Sequence, residues 1–221
     1  MLSHPKNRRA AIFDLDGTLL DTLADIGNTF NGVLQRRGFP IHPLERYRHF
    51  VGEGARMLAK RALPDEVRTP EMIQQCLAEY LAEYLVIEKP LAIPYPGIPE
   101  VLTKLAERGI LLAVLSNKAH PATLRCVEDL LGDWSFEAVF GLRENVSRKP
   151  DPAGALEIAQ ELAVPVEQCL FIGDTATDMQ TAAAAGMIPV GALWGFRSEE
   201  ELRQAGARFL VERPAELLEL L

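Results

Sequence analysis

Four short apolar runs, each broken abruptly by polar residues, constrain the fold of this 221-residue chain more than any other feature. Residues 10–15 (AAIFDL) deliver Asp14 to an acidic turn at Asp16-Gly17, and residues 110–115 (ILLAVL) run into Ser116-Asn117-Lys118. Residues 169–172 (CLFI) run into Gly173-Asp174-Thr175, and residues 187–193 are apolar apart from Pro189 and Gly191. Near-continuous apolarity, as opposed to alternation, suits strands buried on both faces of a parallel sheet. Between the runs lie helical patterns over 98–108, 121–131, 152–162 and 177–185. Gly109, Gly132 and Gly186 follow three of them and Pro121 and Pro152 open two, the expected helix punctuation. Such alternation predicts an α/β fold: a doubly wound parallel sheet with a Rossmann-like core. Ligands of such sheets bind outside the C-terminal ends of the strands, where Asp14, Ser116 and Asp174 are expected.

Residues 21–89 interrupt that alternation. Helical patterns over 23–37, 53–63 and 70–87 follow one another with no convincing strand between them. The spacing predicts a core made of residues 1–20 and 91–221 and an inserted helical cap domain over 21–90. The cap leaves just after Leu19-Leu20 and returns through Pro90, Pro94, Pro96 and Gly97, a stiff connector. A helical unit on short connectors beside the presumed site is a candidate lid.

With 48% hydrophobic and 24% charged residues, the chain can bury a proper core and is not disordered throughout. Its longest strongly apolar run, 110–115, is far short of the roughly 20 residues that cross a bilayer. Residues 1–9 are polar and basic with Pro5 inside, so no signal peptide is visible and a cytoplasmic location is expected. Cys76, Cys126 and Cys169 are odd in number and lack CxxC spacing, which predicts buried packing and no disulfide framework or zinc site. The net charge of −8 argues against nucleic acid or a membrane as partner, so an anionic substrate needs a local attractor. The chain is expected to be a monomer or homodimer. His4, His42, His49 and His120 are scattered without ligand spacing, so any metal site is expected to be free of histidine, and Trp134 and Trp194 are read as packing.

Asp14-Leu15-Asp16-Gly17-Thr18 places two carboxylates at a strand end, though such a turn alone is common on protein surfaces. Singly, Ser116 reads as a helix cap, Lys149 as a solvated charge and Asp178 as a first-turn acid. Together and in order they are specific. Asp14-Leu15-Asp16-Gly17-Thr18-Leu19, Leu115-Ser116-Asn117, Arg148-Lys149-Pro150 and Gly173-Asp174-Thr175-Ala176-Thr177-Asp178 resemble the motifs of the haloacid dehalogenase-like hydrolase superfamily. The likeness runs from residue 10 to the C-terminus, with the helical insertion where that family carries its C1-type cap.

The resemblance implies a Mg²⁺-dependent phosphatase acting on a small-molecule phosphate ester through an aspartyl phosphate. The chemistry agrees: an anionic nucleophile reaches a dianionic phosphoryl group only if the surroundings neutralise both, and Lys149 alone is too little charge without a divalent cation. Asp14 is then nucleophile and metal ligand, and Asp16 the general acid and base, its backbone carbonyl completing the metal site as the family pattern implies. Asp174 is the second carboxylate ligand, and Asp178 supports the metal directly or through water. Ser116, the backbone N–H of Asn117, and Lys149 would hold the phosphoryl oxygens, with Thr18 assigned to the same pocket and expected to orient Asp16. Arg56, in a basic segment beside Gly52 and Gly54, is the candidate contact to the substrate's far end.

Within the superfamily, Asp16 favours phosphoryl transfer over dehalogenation, because a halide leaving group needs no proton. Ile26 stands where mutases of the β-phosphoglucomutase type carry a cap histidine, and it cannot do that work or form a Schiff base. The segments 51–56, 116–118 and 195–197 and the closing 214–218 look most like phosphoglycolate phosphatases. The alternatives are a phosphatase or pyrophosphatase for another small metabolite, a sugar phosphate mutase, and a catalytically silent binding protein.

Overall fold

The computed structural model describes residues 9–86 and 91–221. The N-terminal stretch with His4 and Pro5, the expected cap connector at Pro90 and the expected helix end at Ile87 lie outside them. Six parallel strands form one sheet: β1 (Ala10–Phe13), β4 (Leu111–Ala119), β5 (Ala138–Leu142), β6 (Cys169–Gly173), β7 (Ile188–Ala192) and β8 (Phe209–Val211). Their order is β5-β4-β1-β6-β7-β8, which puts β1 at the point where the winding reverses.

All four residues of β1 are fully buried, and they divide between the two faces. Ala11 and Phe13 join Leu112, Val114, Leu170 and Ile172 under α5 (Ile98–Glu107) and α10 (Leu217–Leu220). Ala10 and Ile12 join Ala113, Leu115 and Phe171 under α7 (Ala153–Glu161) and α8 (Ala176–Ala184). That is the period-two consequence of a strand packed on both sides. α6 (His120–Leu131) lies against β4 and β5, and α9 (Glu199–Gln204) follows β7.

Between the first strand and α5 run α1 (Leu23–Arg36), α2 (Leu44–Phe50), α3 (Ala55–Ala62) and α4 (Pro70–Tyr84). They enclose a core of their own around Phe30, Tyr47, Leu34 and Leu63, all fully buried and each contributing about 1.5–3 kcal/mol. Phe196 and Ala122 belong to the same cluster, so the helical layer is seated on the sheet's C-terminal edge.

Several elements were not legible in the sequence. α2 buries only Tyr47 and Phe50, too short a pattern to stand out. β5 and β8 are edge-side strands of five and three residues with mixed burial. The segments leaving and re-entering the helical layer are also strands: β2 (Leu20–Asp21) pairs antiparallel with β3 (Ile93–Pro94). β4 continues in strand conformation through Ser116-Asn117-Lys118, well past its apolar run, but leaves register with β5 between Leu115 and Ala119.

Candidate active site

Phe13 pairs with Val114 on one side and Ile172 on the other, so the paired portions of β1, β4 and β6 reach one level, although β4 itself runs on to Ala119. The residues that follow, Asp14, Ser116 and Asp174, therefore face one another across a single edge. The Asp14 N–H still bonds the Ile172 carbonyl at 2.9 Å, which fixes where its side chain begins. Asp14 Oδ1 accepts from the Leu15 N–H at 2.7 Å and from Lys149 Nζ at 2.9 Å. The same ammonium donates to Asp178 Oδ1 at 2.6 Å and to the Leu115 carbonyl at 3.0 Å. Asp178, in the first turn of α8, closes a capping box there: its Oδ2 accepts from the Thr175 N–H at 3.0 Å and the Thr175 hydroxyl at 2.6 Å. Asp174 accepts from the Thr18 hydroxyl at 3.0 Å and the Phe196 N–H at 2.8 Å.

Two glycines make this packing possible. Gly17 has φ of +89°, and a Cβ there would stand 2.4 Å from Asp174 Oδ2. A Cβ on Gly173 would stand 2.4 Å from Asp178.

One carboxylate oxygen each from Asp14, Asp174 and Asp178 lies within 4.8 Å of the others, and all three residues are buried. Burial pushes the Asp14 carboxyl up to about 7, against the pull of Lys149 and with repulsion from Asp178 and Asp16 added. Asp174 is raised well above the ordinary carboxylate range by burial, then by Asp178 and Asp14, against its two hydrogen-bond donors. The Lys149 ammonium is held above its usual value: burial opposes its charge, but Asp14 and Asp178 outweigh burial. Three buried carboxyl groups thus cluster around the single ammonium of Lys149, and the donor set is all oxygen, so these residues fit a hard divalent cation such as Mg²⁺.

The helical layer roofs this edge with Ile26, Val51, Ala55, Leu58, Tyr80 and Tyr84, leaving a cavity of about 50 Å³ floored by Asp14, Asp16, Ser116, Asn117 and Lys118. Asn117 ties floor to roof. Its amide donates to the Gly52 and Lys149 carbonyls, each at 3.1 Å, and accepts from the Lys149 N–H at 2.9 Å.

Residues 11–192 match the family model described as haloacid dehalogenase-like hydrolase. The chain belongs to that family. It is 33% identical over 192 residues to a phosphoglycolate phosphatase of Pseudomonas putida, covering 85% of this chain and 70% of the relative. It is 32% identical to the phosphoglycolate phosphatase of Xanthomonas campestris pv. campestris, over 96% of this chain and 95% of that one. Among solved structures, a candidate phosphoglycolate phosphatase from Lactobacillus delbrueckii subsp. bulgaricus superposes with a TM-score of 0.90 at 30% identity, covering 97% of this chain and 98% of its own. Among the described residues of this hydrolase no helix is long and apolar enough to cross a membrane. All three cysteines are free, Cys76 and Cys169 buried and Cys126 partly so.

Two expected roles are corrected by the geometry. Thr18 does not orient Asp16: its hydroxyl is spent on Asp174, and it is fully buried. Asp16 is held by Thr22 instead, whose hydroxyl donates to Asp16 Oδ1 at 2.8 Å. Arg56 does not reach the cavity. α3 turns Ala55 and Leu58 towards the site, and Arg56, about 100° round the helix from Ala55, is exposed and donates to Gln74 at 2.9 Å.

The cation that does line the cavity is Lys118, 2.7 Å from Asp16 Oδ1 and 2.8 Å from the Tyr84 hydroxyl of α4. Its role went unread in the sequence, although a strand places residues i and i+2 on one face and Ser116 was already assigned there. Burial opposes the Lys118 charge, but Asp16 and Tyr84 outweigh burial and raise its pKa.

Metal-free hydrolase is expected to lose stability as pH rises. Asp14 titrates near 3.8 when unfolded and about 7 when folded, so between those values the folded chain binds the extra proton. Stability is then fully present below about pH 4 and falls as pH passes through 7. Melting in EDTA should occur at lower temperature near pH 8 than near pH 5, and Mg²⁺ should restore more at pH 8. An EDTA melting temperature that rises over this window, or that ignores Mg²⁺, contradicts the arrangement.

Proposed function

We propose that the chain is a Mg²⁺-dependent phosphatase for a small anionic phosphomonoester, with phosphoglycolate the leading substrate, and that residues 21–90 serve as its cap domain. The observation that carries this reading is the gathering of Asp14, Lys149 and Asp174 at the reversal point of the sheet, with Asp16 beside Asp14 on the floor of the roofed cavity.

Asp14 Oδ1 is occupied by Lys149 and the Leu15 N–H, so nucleophilic attack falls to Oδ2. An Oδ2–phosphorus bond forms, the ester oxygen–phosphorus bond breaks, and the departing oxygen takes a proton from Asp16. Water then attacks the phosphorus of the aspartyl phosphate, returning a proton to Asp16 as the Asp14–phosphorus bond breaks and phosphate leaves. Asp16 Oδ1 is pinned by Thr22 and Lys118, which leaves its Oδ2 for the proton. Ser116 and the Asn117 backbone border the phosphoryl position, while Lys149 sets the charge and attitude of Asp14. Asp14 and Asp174, with the Asp16 carbonyl and Asp178 in support, would hold Mg²⁺, which would supply the positive charge that lets two anions meet.

The substrate's other end faces an apolar roof whose one cationic neighbour among the described residues is Lys118. Lys118 gives two of its three N–H donors to Asp16 and Tyr84, which leaves the third for a carboxylate of the substrate. Phosphate release from a panel of phosphate esters, with Mg²⁺ and with EDTA, tests the class: metal-dependent release is expected, strongest with phosphoglycolate. Lys118→Met should raise KM for phosphoglycolate about tenfold more than for an aryl phosphate. Equal effects on both substrates would reduce Lys118 to an anchor for Asp16, and no release from any ester would sink the phosphatase reading.

A further inference from the structure

Away from the catalytic edge, a groove of about 510 Å³ opens between α3, the start of α4 and the loop that precedes Lys149. Its wall carries Arg56, Lys60, Arg68 and Arg148 beside Met57 and Ile73, and among the described residues no acidic side chain lines it. Four cations around one void repel one another, which is unusual in a chain of net charge −8.

Their orientation is set mostly by neutral acceptors. Arg148 Nη1 donates to the Glu53 carbonyl at 2.7 Å, Arg56 Nη1 to the Gln74 side-chain oxygen at 2.9 Å, and Arg68 Nε and Nη2 to the Leu63 carbonyl at 3.2 and 2.7 Å. Such bonds aim a guanidinium without cancelling its charge. Arg68 also meets Asp65 at 2.6 Å, but that carboxylate side chain is 82% exposed and its effect is screened by solvent.

We propose that this groove binds a phosphate-chain anion of nucleotide size, separate from the substrate. Its volume lies in the range of small-molecule sites, roughly 300–1,000 Å³, against about 50 Å³ at the catalytic edge. Guanidinium forks match phosphate oxygens two at a time, and Met57 and Ile73 offer an apolar surface to the rest of the ligand. Arg148 adjoins Lys149, while Arg56, Lys60 and Arg68 belong to the helical layer. A ligand spanning them ties the helical layer to the loop that carries the catalytic lysine, the position of an effector. None of these side chains touches the catalytic carboxylates, so this assignment and the phosphatase reading stand or fall separately.

Isothermal titration calorimetry of the whole chain with tripolyphosphate, and with the β,γ-imido analogue of ATP, tests it. Binding at one site is expected, kept in Asp14→Asn, weakened about tenfold or more by the exposed substitution Lys60→Glu, and restored in Lys60→Arg. Turnover of an aryl phosphate without probe should be unchanged in Lys60→Glu. Tighter binding of the nucleotide analogue supports a role for the apolar wall, and equal binding supports a purely electrostatic site. Absence of binding by both probes overturns the proposal, as does binding that Lys60→Glu leaves intact and Asp14→Asn abolishes.

Discussion

Asp14→Asn is expected to lower turnover by roughly 10⁴-fold or more while the fold survives. The amide keeps the shape of the carboxylate but is a far poorer nucleophile, so the covalent route closes and what remains is binding without bond exchange. The fold survives because Lys149 retains Asp178 at 2.6 Å and the Leu115 carbonyl at 3.0 Å. Stability should even rise in EDTA near pH 8, since burial and neighbouring carboxylates push Asp14 up to about 7 and the substitution removes that buried charge. Steady-state rates with phosphoglycolate, paired with melting curves in EDTA, read both effects. Near-normal turnover would remove the covalent mechanism, and a collapsed melting transition would mean that Asp14 is chiefly structural.

Lys149→Met should damage stability as well as catalysis. Removing the one ammonium leaves Asp14 and Asp178 buried without their partner, and breaking a buried pair from one side costs about 3–5 kcal/mol. For a chain of this size that corresponds to a fall of roughly 10 °C or more in melting temperature. The deficit should shrink towards acid pH, where a protonated carboxyl no longer needs a cation, and the double variant Lys149→Met/Asp14→Asn should recover part of it. Thermal melts near pH 5 and pH 8 decide the matter. An equal deficit at both pH values would assign the loss to the contact with Phe171, over whose ring the ammonium lies at 5.6 Å, and not to the unpaired carboxylates.

The candidate active-site edge was legible because each of its parts is local. An apolar run ending in a polar turn places a side chain at a strand terminus whatever the rest of the chain does, and Asp14, Ser116 and Asp174 each follow such a run. Lys149 lacked a run of its own and was legible only through its place in the ordered set of motifs. Its ion pairs confirm nothing about order; they arise because β5 and α7 flank the loop that carries it.

What failed was the direction of side chains. Thr18 and Thr22 both follow Asp16 closely, and spacing alone could not say which hydroxyl reaches Asp16 and which turns to Asp174, 156 residues away. Arg56 was read from its basic neighbourhood, whereas the burial of Leu58, Ala59 and Ala62 sets the phase of α3 and turns Arg56 outward. Lys118 was visible as a letter in a motif, but its partners Asp16 and Tyr84 come from a different strand end and a different layer.

By itself the sequence determined the alternation of buried strands and amphipathic helices, the inserted helical layer and the set of carboxylates, because periodicity and strand-end chemistry act over a few residues. Only the tertiary structure decided which oxygen each donor occupies, that Lys118 and not Arg56 faces the cavity, and that four cations meet around a second groove. Those outcomes depend on distances between segments far apart in the chain, and such distances are set by how the layers pack, which no local pattern encodes.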